Sequence, residues 1–333
     1  MSCDQPHGKP HGQVRAREPG RGRHAVAPWE IPWRGWIDIL WRTYQKINDN
    51  RLLAVAAGVV FYALLALFPA ISAFVSLYGL FANPSSIDSS LSQLHGVLPS
   101  GAVQLLHDEL RRLIANKGTN LSYGFIISLL FALWSADAGM RSIIDALNVA
   151  YGEKEKRSFI RLVLASLLYT LIAMAALALA TGAVVVAPIV LNIMGLGGVA
   201  GTLISAARWP VMLVLVVIAL AAAYRYLPCR RKARWEWLSV GSVTAAVAWL
   251  AGSLLFSWYI ANFSNYNVTY GSLGAAVGMM MWMWISILVV LIGAQLNAEI
   301  EHQTVRDSTT DGRERPLGRR GAVKADSVGS AQD

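Results

Sequence analysis

The chain has 333 residues, of which 55% are hydrophobic and 15% charged; its mean hydropathy is +0.45 and its formal net charge +9. A soluble domain is typically about 25% charged, so the composition excludes an ordinary soluble protein and points to an integral membrane protein. The positive charge does not mark a nucleic-acid binder. Residues 1–51 hold nine Lys/Arg against five Asp/Glu, and the tail from Glu301 holds six of each. Much of the remainder sits in short loops between apolar runs, as the membrane orientation rule expects.

Residues 1–35 are rich in Gly, Pro, His and Arg and lack the apolar core and cleavage site of a signal peptide. They read as a disordered cytoplasmic tail. Residues 33–50 follow as a short amphipathic helix, with Trp36, Ile39, Leu40, Tyr44 and Ile47 at helical spacing. Its Trp and Arg content suits a membrane surface. The first span is expected over about residues 52–82. Pro69 falls inside it and removes a backbone hydrogen bond, so a kink or break is expected there. Either ordinary helix packing or a broken helix lining a cavity accounts for Pro69 and the nearby Tyr62. A polar connector over 83–120 holds a second amphipathic pattern, with Val103, Leu106, Leu110 and Leu113 on one side.

The second span, expected over about 121–148, starts apolar and then takes on charge. Asp137, Arg141 and Asp145 follow at four-residue spacing. At about 100° per residue they fall within about 80° of arc, and Asn148 returns to about 20° from Asp137. This is a polar ladder of acid, base, acid and amide on one helical face. Charge in hydrocarbon is costly and tends to face a bundle interior or a cavity. The helix is also long enough for the ladder to emerge at the interface, so a buried and an interfacial placement are both open.

Further spans are expected over about 159–191, 208–227, 238–261 and 271–300. Between the third and fourth, residues 192–201 form a glycine-rich turn that lacks the Gly-Lys-Ser/Thr of a phosphate loop. Residues 228–237 carry the densest basic cluster of the short loops. Gly241, Ala245, Ala248 and Gly252 line one face of the fifth span, where small residues let helices approach closely. The sixth span opens after Tyr270 at Gly271, continues through a Met/Trp run suited to packing and lipid contact, and ends with Gln295, Asn297 and Glu299. Six spans put both termini on one side, and Lys/Arg in the turns after spans two and four make that side cytoplasmic. The organisation expected is a disordered cytoplasmic tail over 1–35, a six-span membrane domain over 36–301, and a second disordered cytoplasmic tail over 302–333. The fold class is all-α, with six transmembrane helices and amphipathic interfacial helices. Neither Cys3 nor Cys229 belongs to a zinc or redox spacing; no metal site, cofactor or catalytic residue is expected.

Three segments resemble the YihY/BrkB family of bacterial inner-membrane proteins: AAGVVFYALLALFPAISAFVSLYGLF (56–81), LWSADAGMRSIIDALNVAYG (133–152) and TYGSLGAAVGMMMWMWISILVVLIGAQLNAEIE (269–301). The resemblance covers roughly residues 35–301 and implies a six-helix membrane fold in the bacterial inner membrane. Its family-like polar positions include Tyr62, Pro69, Asp145, Asn148, Tyr270, Gly271, Asn297 and Glu299. Family members have been labelled virulence or serum-resistance factors, and also "ribonuclease BN". A metal-dependent nuclease needs converging His and Asp ligands, and none of the six histidines lies inside a predicted span or at ligand spacing. The expected activity is transport, or handling of a lipid or small molecule across the membrane. The alternative is a non-transporting scaffold or envelope-integrity factor. The expected partners are the lipid bilayer and a small-molecule or lipid substrate, not nucleic acid. The candidate polar site joins Asp137, Arg141, Asp145 and Asn148 to Gln295, Asn297 and Glu299; Tyr62, Pro69, Tyr270 and Gly271 are candidates for a helix break and cavity.

Overall fold

A computed structural model describes residues 20–81, 121–193, 199–230, 233–263, 272–304 and 329–330. Among the described residues the fold is all-helical. A single 3-10 turn, Pro28–Glu30, precedes seven α-helices: α1 (Trp33–Asp49), α2 (Leu52–Phe81), α3 (Leu121–Tyr151), α4 (Phe159–Ile193), α5 (Val199–Tyr226), α6 (Trp235–Phe263) and α7 (Ser272–Gln303). The connector over 83–120, with its amphipathic pattern, lies outside the described residues, as do Tyr270 and Gly271.

Apolar composition, not amphipathic patterning, drives α2 to α7. The described outward faces carry large apolar side chains, such as Leu164 at 62%, Leu254 at 64% and Leu255 at 66% exposed. The polar groups are turned inward, which is the arrangement a hydrocarbon solvent selects. Among the described residues, three helices are long and apolar enough to cross a membrane, over 159–176, 235–260 and 277–303; α1 with the first part of α2 makes a fourth candidate, bent by 59°.

The packing order is clear. α2 lies along α3, α7 along α6, and α7 also touches α1, α2 and α3. The buried apolar core gathers where α2 and α6 start and where α3, α5 and α7 finish. Leu52, Ala56, Leu147, Ala150, Tyr151, Tyr224, Leu238, Leu291 and Ala298 meet there. Beside it, Ala25, Ile31, Ile39, Trp237, Leu296 and Ile300 form a second cluster.

That second cluster corrects the tail boundaries. The short apolar positions Ala25, Ala27 and Ile31 are buried although the surrounding composition is charged and Pro/Gly-rich. The C-terminal end is likewise packed: Thr304 Oγ1 donates to the Arg23 and Ala25 carbonyls at 3.2 and 3.0 Å. Residues 20–35 and 302–304 therefore belong to the folded body. Three other differences concern helices. Helix α2 runs through Pro69 as one helix rather than breaking there. Helix α5 begins at Val199, nine residues before the expected start, and contains Pro210. Helix α1 forms as expected, with Ile39 buried, but Leu40 and Tyr44 are exposed and its inner side also buries Asp38, Arg42 and Thr43.

Helices α6 and α7 touch backbone to backbone. A Cβ on Gly241 would overlap the Gly293 carbonyl, and one on Gly293 would lie 2.7 Å from Ala245 Cβ, the Gly241 carbonyl and the Tyr224 hydroxyl. The expected small-residue face is thus used at Gly241 and Ala245, while Ala248 is exposed. Further along, Trp249 Nε1 donates to Ser286 Oγ at 3.0 Å and Trp282 Nε1 to Ser253 Oγ at 3.3 Å. The tryptophans of the Met/Trp run serve packing, and Met279, Met280 and Met281 are exposed.

Candidate functional site

The expected polar residues do not form one constellation. They divide into three groups, all toward the end of the bundle where the core lies.

The first group is the ladder on α3. Asp137 is buried, and its Oδ2 lies 3.0 Å from Arg141 Nη2. Its other oxygen takes a hydrogen bond from Ser166 Oγ on α4. Arg141 is less enclosed, its side chain 24% exposed, and its Nε is buried without a partner among the described residues. Asp145 is exposed and forms no ion pair among them. The four-residue register is right, but only the Asp137 half of the ladder closes, because Asp137 is the one that faces α4.

The second group joins two loops. Asn148 Oδ1 accepts from the Cys229 backbone N–H at 2.7 Å, and Asn148 Nδ2 donates to Glu155 Oε2 at 3.1 Å. Glu155 is held by Arg157, whose Nη2 donates to Glu155 Oε2 at 2.7 Å and to the Leu227 carbonyl at 3.0 Å. The Arg157 hydrogen bond outweighs burial and holds the Glu155 carboxyl at about 2. Next to it, Arg230 lays its guanidinium 3.9 Å above the Tyr151 ring and donates from Nη1 to both Glu301 oxygens at 2.9 and 2.8 Å. Burial, the largest single influence, would push Arg230 down; Glu301, Tyr151 and Glu153 together outweigh it and raise Arg230 above the usual arginine value.

The third group ties α7 to its neighbours. Gln295 accepts from Asn50 Nδ2 at 2.8 Å and donates to Glu299 Oε1 at 2.9 Å. Glu299 Oε2 accepts from Arg42 Nε at 3.0 Å, and His302 Nδ1 lies 3.3 Å away. Arg42 also donates to Gln303 Oε1 at 2.6 Å and to the Ser330 carbonyl at 2.7 Å. Arg21 forks onto Asp38 at 2.8 and 2.9 Å. Asn297 turns to α6 instead, accepting from Gly241 N–H at 2.8 Å and donating to the Leu238 carbonyl at 3.2 Å.

Gln295, Asn297 and Glu299 therefore meet α1, α6 and the α1–α2 junction, not Asp145 and Asn148. Tyr62 is 43% exposed on α2. Sequence reasoning did not single out Ser166, Asn50 or Glu301, and read Arg42 as suited to a membrane surface and Arg230 as part of a basic loop cluster, whereas both are buried against carboxylates. The one signal for Arg42 was its four-residue spacing from Asp38 on a helix already read as amphipathic. The partners of the others lie tens to hundreds of positions away, beyond any periodicity. Among the described residues no three His, Cys, Asp or Glu side chains are grouped as a metal site would require.

A buried, hydrogen-bonded polar end under an apolar, outward-facing bundle defines a polytopic membrane protein. The chain matches the Virulence factor BrkB family over residues 43–317 and belongs to it. Its relatives include a ribonuclease-like protein, YfkH, of Bacillus subtilis (strain 168), 31% identical over 73% of this chain and 88% of that protein. A UPF0761 membrane protein of Janthinobacterium sp. (strain Marseille) is 23% identical over 83% of this chain and 63% of its own length. UPF0761 membrane protein IL2447 of Idiomarina loihiensis is 24% identical over 82% and 95%. No solved structure matches the chain.

Proposed function

We propose that this BrkB-family protein crosses the bacterial inner membrane six times, with both termini cytoplasmic, and moves or handles a lipid or small molecule across it. Helix length supports six spans. Each of α2 to α7 has at least 28 residues, about 42 Å at 1.5 Å per residue, against a hydrocarbon core near 30 Å. Loop charge supports the orientation: Lys154, Lys156, Arg157, Arg230 and Arg234 all lie at the end that carries the polar core.

The observation that carries the transport reading is the Asp137–Arg141–Ser166 cluster. Ser166 stands seven residues into the apolar stretch that starts at Phe159, about 10 Å along the helix. An ion pair at that depth adds little stability that apolar packing could not supply, and intramembrane ion pairs mark pathways. The test is the purified chain in liposomes, assayed with labelled lipids and a panel of small solutes. Flux that falls at least tenfold in Asp137→Asn and Arg141→Gln, with melting retained, supports the reading; a folded protein that moves nothing on the panel counts against it.

The scaffold reading has its own support. Gln295, Asn297 and Glu299 each hold a hydrogen bond to another element, to Asn50, Gly241 and Arg42 in turn, as locks would. The ribonuclease-like name of the Bacillus relative does not carry over in our reading, because the described donors do not converge. Purified protein free of soluble nucleases is expected to show no metal-dependent RNA cleavage.

A further inference from the structure

The loops after α3 and α5 carry more positive charge than the fold uses. Residues 152–161 and 225–237 together hold nine Lys/Arg against three Asp/Glu. Residues 156–169 and 226–229 lie side by side: Arg157 reaches the Leu227 carbonyl, the Lys156 backbone N–H lies 3.3 Å from Cys229 Sγ, and the Tyr169 hydroxyl donates to the Tyr226 carbonyl at 2.9 Å. Some of the cations are taken up internally. Arg157 pairs with Glu155, Arg230 with Glu301 and Arg234 with Glu236. Lys154, Lys156, Arg161 and Arg225 form no ion pair among the described residues.

Their setting is that of a membrane surface. Arg225 lies 4.7 Å from the Trp235 ring centroid and 5.6 Å from that of Tyr226, and both rings are exposed, at 48% and 38%. Arg225 Nε is buried with no hydrogen-bond partner among the described residues. Phe159 and Ile160, at 73% and 71% exposed, start the outward apolar face of α4, and Arg161 is exposed directly beside them. Arg161 and Tyr169 are eight residues apart on α4, about 80° round the helix and about 12 Å along it, and the Tyr169 hydroxyl meets the end of α5. Aromatic rings at the ends of apolar helices sit at headgroup depth, and a long arginine stem carries its charge out to the same level.

We propose that the α4 start and the α5–α6 turn form a seat for the phosphodiester headgroup of an anionic membrane phospholipid, with Arg161 and Arg225 as its phosphate contacts and Lys154 and Lys156 at its outer rim. The acyl chains lie along the exposed apolar face of α4. This is a resident lipid site at the protein–bilayer boundary and does not depend on the transport reading.

The test is native mass spectrometry of the full chain released from nanodiscs of equal phosphatidylglycerol and phosphatidylcholine. The expected result is retained phosphatidylglycerol, reduced roughly tenfold or more in Arg161→Gln/Arg225→Gln but unchanged in Arg34→Gln/Arg51→Gln, which removes the same charge from exposed positions by α1. Arg161→Gln alone, at an exposed site, gives a second reading if the double variant fails to fold, and Arg161→Lys is expected to retain the lipid. Equal retention of phosphatidylcholine, equal loss in both double variants, or displacement by millimolar inorganic phosphate would each overturn the proposal. Because the readout is occupancy, a negative flux assay leaves this result intact.

Discussion

Arg141 shows what a single side chain contributes at depth. It neutralises Asp137, whose second oxygen is already taken by Ser166. Removing one partner of a buried pair typically costs about 3–5 kcal/mol, and of an exposed pair about 0–1 kcal/mol. With Asp137 buried and Arg141 at 24% exposure, Arg141→Ala is expected to cost about 1–3 kcal/mol. Asp137→Asn in the same chain should recover part of that loss, whereas Asp145→Asn should change little, because Asp145 is exposed. Thermal melts of the four purified proteins check this. A loss rescued by Asp145→Asn and not by Asp137→Asn would contradict the pairing. The four-residue register of the ladder was legible in the sequence; which acid Arg141 chooses was not, since that depends on Ser166, 29 positions away.

The contact between α6 and α7 depends on two glycines. Gly293→Val puts side-chain atoms where Ala245 and the Gly241 carbonyl already lie, and overpacking of this kind costs about 1–3 kcal/mol. Gly58 in α2 meets nothing within 4 Å, so Gly58→Ala should be neutral or stabilising by up to about 1 kcal/mol. The same melting experiment separates them, and equal effects would argue against the close approach. The small-residue stripe on α6 announced such an approach, but not its partner face on α7. At the loop level, Glu155 clamps the α3–α4 turn through Arg157. Its carboxyl lies below the ordinary value of 4.5, at about 2. The stabilisation it contributes is therefore complete above pH 4.5 and is lost as the pH falls through about 2. The melting difference between the parent and Glu155→Gln should be constant from pH 7 to about pH 5 and shrink below it. A difference that grows on acidification would reverse the sign and contradict the clamp.

Among the described residues, the buried polar groups collect toward one end of the bundle and large apolar side chains are exposed along the helices. Composition and apolar run length made the helices legible, including α3, which starts at Leu121 as expected and runs to Tyr151, three residues past the expected end at 148. The folded portions of the tails were hidden by averaging. Arg21, Arg23, Ala25 and Ile31 are few among Gly, Pro and charged neighbours, yet they pack onto the end of α7. Hydropathy reports a solvent preference for a stretch as a whole, and cannot show that three or four side chains within it find a surface prepared more than 200 residues later. The consequence is that the N-terminal stretch, α1 and the end of α7 form one body with the loops at residues 152–158 and 227–230.

That body must lie on a single side of the membrane if the account is right. Reporter fusions after Glu155 and after Arg231 are predicted to read cytoplasmic, and fusions after Asn83 and after Tyr266 periplasmic. A cytoplasmic signal at Tyr266, or a periplasmic one at Glu155, would contradict the six-span arrangement and the placement of the polar end with it.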